Sequence, residues 1–264
     1  MIDAHCHLGP GLRAQPPFGP LFDSETAESL FKLIDGLGIE RSIIFAPSWQ
    51  GGRAGEDFVD PSYERANEAV AAATAAHPDR LIGFARVNPK FGSGAVRELR
   101  RCFEDYGFRG LKLDNEADAF HPTDLRLLAP LAELCEARTA PIIVHTGFHP
   151  CEPLIFLPLA QKYPDIPVIL GHMGGRILID AVITAQHAPN VFLETSGQMP
   201  GYIARAAKAV GADRIIFGTD IPFNIPAVET KRIRSVGLSE ADIEKITVGN
   251  ISKLLGLTQP AMAR

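Results

Sequence analysis

Residues 167–175 read PVILGHMGG, a short apolar run that closes on a histidine and two glycines. A strand with apolar residues on both faces reads this way when it is buried in a parallel sheet. The same punctuation recurs along the chain. Residues 42–46 read SIIFA, 141–145 read PIIVH and 214–218 read RIIFG. Counting outward gives eight expected strands, at 2–7, 42–46, 81–87, 110–113, 141–145, 167–172, 190–194 and 214–220.

Segments of helical period lie between them. The first has apolar residues at Leu30, Leu33, Ile34 and Leu37, with Ser24 as its expected cap and Gly38 as its stop. Further helices are expected at 61–76, 94–106, 124–138, 152–163, 175–187, 200–210, 227–236 and 239–255, the last capped by Ser239. Eight alternations of strand and helix imply parallel strands joined by right-handed crossovers. The expected fold is an α/β (β/α)8 TIM barrel in one domain, residues 1–257, followed by a tail at 258–264. An open doubly wound sheet is the alternative, but no glycine-rich phosphate loop follows the first strand.

The bulk numbers agree. The chain has 264 residues, close to the ~250 of one such barrel. Hydrophobic residues make up 46% and charged residues 22%, enough apolar material for a large core. A net charge of -5 gives no reason to expect nucleic acid or an anionic membrane as partner. No apolar run approaches the ~20 residues of a membrane span, and the opening MIDAHCHLG lacks the marks of a signal peptide. A cytoplasmic location and a small-molecule substrate follow as expectations, with a homodimer left open. The four cysteines form no C-x-x-C pair and read as buried thiols.

Barrel active sites sit at the C-terminal ends of the strands. The first strand ends in His5 and His7, the fourth carries Lys112, and the fifth ends in His145. The sixth ends in His172, the seventh in Glu194 and the eighth in Asp220. Only the second and third strands end without such a group. His5 and His7 are two apart on a strand, so both imidazoles point to one face. Side by side in an apolar interior they need something to occupy their lone pairs. Three imidazoles with the Asp220 carboxylate suit a divalent metal, Zn2+ first and Mn2+ as another choice. Asp220 is also the expected base, and His172 the expected acid that polarises substrate. Asp3 shares the parity of His5 and His7 and is a candidate acceptor for an imidazole N–H, or a plain strand-start hydrogen bond. Lys112 has three readings: it binds a substrate carboxylate, it bridges two metals in carboxylated form, or it forms a structural ion pair. Glu194 is expected to pair with Lys112 or meet substrate. His149 and the loop after the second strand, with Trp49 and Arg53, are candidate substrate contacts.

In order along the chain, IDAHCHLG, GLKL, PIIVHTG, ILGHMGG, LETSG, IIFGTDIPF and VGN resemble the amidohydrolase superfamily. The likeness is to its amidohydrolase-related branch, which includes aminocarboxymuconate semialdehyde decarboxylase and related lactonases and hydratases. It covers nearly the whole chain. It implies a mononuclear site, usually zinc, with His5, His7, His145 and Asp220 as ligands and His172 as the catalytic histidine. The loops here are short for the decarboxylases of that branch, so their reaction does not transfer with the motifs. The expected activity is hydrolysis of a lactone or amide of a small, acidic molecule. The alternative is non-oxidative decarboxylation or hydration at the same metal. A barrel kept only for binding is a third reading, which the complete ligand set argues against.

Overall fold

A computed structural model describes residues 1–14, 16, 19–47 and 62–257. The strands are β1 (Ile2–His7), β2 (Arg41–Phe45), β3 (Leu81–Gly83), β4 (Ala85–Arg86) and β5 (Leu111–Leu113). They continue with β6 (Ile142–Val144), β7 (Val168–Leu170), β8 (Val191–Glu194) and β9 (Ile215–Ile216). Every pairing is parallel and joins chain neighbours, in a sheet β1-β2-β3 and a sheet β4 to β9. β3 and β4 are one stave interrupted at Phe84. Phe84 N donates to Ile44 O at 2.9 Å and Ala85 N to Gly110 O at 2.8 Å, so the two sheets are continuous there. The chain after β9 returns to β1. Ala4 N donates to Phe217 O at 3.0 Å, Asp220 N to His5 O at 2.7 Å and His7 N to Ile221 O at 2.7 Å. Eight staves therefore close into the expected barrel.

Alternation sorts the strand residues into two cores. Ile43, Phe45, Ile82, Phe84, Ile143, Ile169 and Ile216 pack together inside the barrel, with Ile251 and Leu255 beneath them. Their neighbours Ile44, Leu111, Ile142, Val168, Leu193 and Ile215 face the surrounding helices. Stepping two residues on from the inner apolar layer reaches Arg86, His145, Gly171 and Gly218 in turn. Those positions form the floor of the mouth.

The helices mostly follow their periodicity, with local corrections. The first, α1 (Ala27–Ile34), is capped by Thr26, which accepts from Ser29 N while Ser29 Oγ accepts from Thr26 N. Ser24, the expected cap, is buried and donates to His7 O at 2.7 Å, tying the first loop to the end of β1. The expected helix at 239–255 does start at a Ser239 cap, as a segment Glu240–Glu244. A π turn at Lys245–Gly249 then interrupts it before Asn250–Leu254. No helix among the described residues is long and apolar enough to cross a membrane. The expected tail at 258–264 lies outside the described residues.

Gly110 shows how tightly the interior is filled. A Cβ there would overlap the Phe84 ring, 2.5 Å from Cζ and 2.7 Å from Cδ2. Gly110→Ala should cost about 1–3 kcal/mol of stability, typical of overpacking. Denaturant unfolding checks this, and an unchanged midpoint would contradict the packing described.

Candidate metal centre

His5, His7 and Asp220 meet at the closure. Asp220 Oδ1 lies 3.5 Å from His5 Nε2 and 3.3 Å from His7 Nε2. Asp220 has φ 61°, a left-handed conformation uncommon for a residue with a Cβ, and its backbone N–H is held by His5 O. Asn224 Nδ2 reaches Asp220 Oδ2 at 3.4 Å. Burial pushes both imidazoles well below their ordinary range, so they are neutral, and pushes the Asp220 carboxyl well above its own. Among the described residues the buried His7 Nδ1 has no hydrogen-bond partner. Two neutral imidazole nitrogens converging on one carboxylate oxygen are a donor set that fits a divalent metal.

The other histidines sit beside this group. His172 follows Gly171 at the end of β7, in a left-handed conformation with φ 60°. Its Nε2 lies 3.2 Å from His145 Nδ1 and its Nδ1 lies 2.8 Å from Ser196 Oγ. The rings of His5 and His172 are 4.8 Å apart, as are those of His145 and His172. His145 was expected beside His5 and His7; the structure sets it one imidazole away, against His172. Burial lowers His145 to about 4 and His172 to about 3.

Glu194 is the hub beneath them. It was expected to pair with Lys112 or meet substrate. It is fully buried, and Oε2 accepts from His5 Nδ1 at 2.8 Å, from Ser196 Oγ at 2.8 Å and from His172 N at 3.1 Å. Room for it comes from Gly218, where a Cβ would lie 2.8 Å from Glu194 Cδ and 2.9 Å from His5 Cβ. Asp3 does not orient an imidazole. β1 has a register shift between Asp3 and Cys6, so the period of two fails there. Ile2 and Ala4 face the barrel interior, and Asp3 faces away with Cys6. Its carboxylate accepts from His5 N at 3.0 Å, Thr219 N at 2.9 Å, Thr219 Oγ1 at 2.5 Å and Cys6 Sγ at 3.0 Å. It therefore fastens the backbone of the site rather than its rings.

Lys112 is buried in the middle of β5, with Nζ 3.2 Å from His5 Nε2 and 5.0 Å from the centre of the Phe45 ring. Among the described residues no carboxylate lies within ion-pair distance of it, and Asp114, Asp220 and Glu194 attract it from farther away. Burial lowers its affinity for a proton, opposed by Asp114.

The third strand was expected to end without a polar group, yet it carries Arg86, fully buried and paired in register with Lys112. Its Nη2 lies 3.6 Å from both Asp114 and Asp118, and its guanidinium lies over Tyr63. The signal was present in FARVN, as a basic residue two positions past an inward phenylalanine. His149 is exposed and pairs with Glu152 at 2.8 Å, outside the cluster. Trp49 and Arg53 lie outside the described residues.

Comparison with known proteins adds to this geometry. The family profile described as amidohydrolase matches residues 2–257. The gamma-resorcylate decarboxylase of Polaromonas sp. (strain JS666 / ATCC BAA-500) is 28% identical, over 86% of this chain and 86% of that protein. A dihydroxybenzoic acid decarboxylase from Polaromonas sp. JS666, solved with bound manganese and the inhibitor 2-nitroresorcinol, superposes with a TM-score of 0.78. It is 23% identical, with 98% of this chain and 97% of that one covered. The 4-oxalomesaconate hydratase from Rhodopseudomonas palustris superposes with a TM-score of 0.69 at 18% identity, covering 97% and 95%.

Two variants separate ligand from proton carrier. His5→Ala should lose metal by elemental analysis, while His172→Asn should keep it and lose most turnover. Loss of metal from His172→Asn would contradict this division.

Proposed function

The chain belongs to the amidohydrolase family, and from its site we propose that it is a metal-dependent, non-oxidative decarboxylase of a small aromatic acid. The observation that carries this reading is Lys112, a buried ammonium set against His5 with no carboxylate at ion-pair distance among the described residues, attracted from farther away by Asp114, Asp220 and Glu194. A buried cation in that position calls for an anion, and a substrate carboxylate supplies one. The curated relative that acts on gamma-resorcylate supports decarboxylation over the expected lactone or amide hydrolysis. The acidic small molecule expected from the sequence becomes, on this reading, an aromatic carboxylate.

A first-row divalent ion, Mn2+ or Zn2+, would be held by His5, His7, His145 and Asp220. When bound, it supplies positive charge that polarises a substrate oxygen. The residues do the rest. Lys112 draws the carboxylate into the mouth. The buried walls exclude water, which strengthens that attraction. Asp220 and His172 handle the one proton the reaction needs. That proton goes to the ring carbon, the carbon–carboxylate bond breaks, its electron pair stays with the ring carbon, and carbon dioxide leaves.

A panel of phenolic and other aromatic carboxylates, set beside lactones and esters, tests the reading. Metal-dependent release of carbon dioxide, without net addition of water, is expected. Turnover of lactones alone would overturn it. Lys112→Met should lower kcat/KM by about 10- to 100-fold, mostly through KM, as for loss of a charged hydrogen bond.

A further inference from the structure

We infer that Glu194 and Ser196 are positioning residues that set the tautomers of His5, His172 and His145 through one run of hydrogen bonds. The run starts at the Glu194 carboxylate, which can only accept. It takes His5 Nδ1 at 2.8 Å, so His5 carries its hydrogen on Nδ1 and presents a bare Nε2. That bare nitrogen is the atom that faces Asp220 Oδ1.

Ser196 carries the pattern onward. Its hydroxyl has one proton, given to Glu194 Oε2 at 2.8 Å. Its oxygen therefore accepts from His172 Nδ1, also at 2.8 Å. The reverse arrangement would set an oxygen lone pair against a carboxylate lone pair across the same distance. With its hydrogen on Nδ1, neutral His172 has a bare Nε2. His145 Nδ1, 3.2 Å from that nitrogen, must then be the donor, which leaves Nε2 as the electron-pair donor of His145.

The backbone holds the run in place. Glu194 Oε1 accepts from Ser196 N at 2.5 Å, and Oε2 accepts from His172 N. Gln198 Nε2 donates to His172 O at 2.5 Å. These bonds fix the His172 backbone, and its ring is held by Ser196 and His145.

One consequence rests on the proposed decarboxylation. A bare Nε2 lets His172 accept, in the resting protein, the proton that the reaction needs. The tautomers themselves do not depend on that reading, and their test needs no substrate.

The test is a long-range 1H–15N correlation spectrum of the full chain labelled at histidine and supplied with Zn2+. Protonated and bare ring nitrogens separate widely in 15N shift, and His5→Asn and His172→Asn assign the signals. His5 and His172 should both appear with hydrogen on Nδ1. In Ser196→Ala, His172 should lose that single tautomer while His5 keeps it. Ser196→Thr, which retains the hydroxyl, should restore it. Ser196→Ala should also lower kcat by about 10- to 100-fold, the usual cost of losing such a partner, with KM within about twofold and metal content unchanged. Hydrogen on Nε2 of His172 in the unaltered protein, or an unchanged His172 signal in Ser196→Ala, would overturn the inference. Absence of decarboxylation with the tautomers as described would count against the proposed function alone.

Discussion

The hydrogen bond from Asp220 N to His5 O closes the barrel and, in the same stroke, builds its site. It joins the first strand to the last, so groups from opposite ends of the chain come within 3.5 Å of one another. A barrel has no sheet edge, and closure satisfies backbone groups that would otherwise be bare. The left-handed turn at Asp220 is held by this bond. The polar cluster is therefore a product of the fold's last pairing, and opening that seam would separate its members.

Burial then gives the cluster its chemistry. Imidazoles taken out of water stay neutral and keep lone pairs for a metal, while carboxylates there need donors or a cation. The chain meets that demand locally. Glu194 has four donors and Asp3 has four, and both lie at the seam between the last staves and β1. Gly218 supplies space at the point where Glu194 meets His5. Lys112 differs: among the described residues no carboxylate lies at ion-pair distance from this buried ammonium, and Asp114, Asp220 and Glu194 attract it only from farther away. In such surroundings an unmatched charge points to a ligand.

Much of this was legible in the residues. The apolar runs and their punctuation give the barrel, because strands buried on both faces and helices buried on one face leave different periods. The polar groups at strand ends give His5, His7, Lys112, His145, His172 and Asp220. Three things were hidden. Arg86 looks like an ordinary charged residue unless the inward parity of Phe84 is known. Of the two readings of Asp3, the imidazole-orienting one failed because a bulge in β1 shifts the register, and no side chain announces that shift. The partner of Glu194 was unreadable because it depends on where β8 lies against β1 in space. Parity along one strand is a local property, whereas contacts across the mouth depend on closure.

The central claim is that one cation gathers side chains from β1, β6 and the closing strand at a single rim. A crystal structure of the protein grown with Mn2+, with anomalous scattering data collected at the manganese edge, tests it most directly. One anomalous peak is expected, bounded by His5, His7, His145 and Asp220, with Lys112 free to meet a bound aromatic acid. Two peaks bridged by a carboxylated Lys112, or no peak at that rim, would contradict the account.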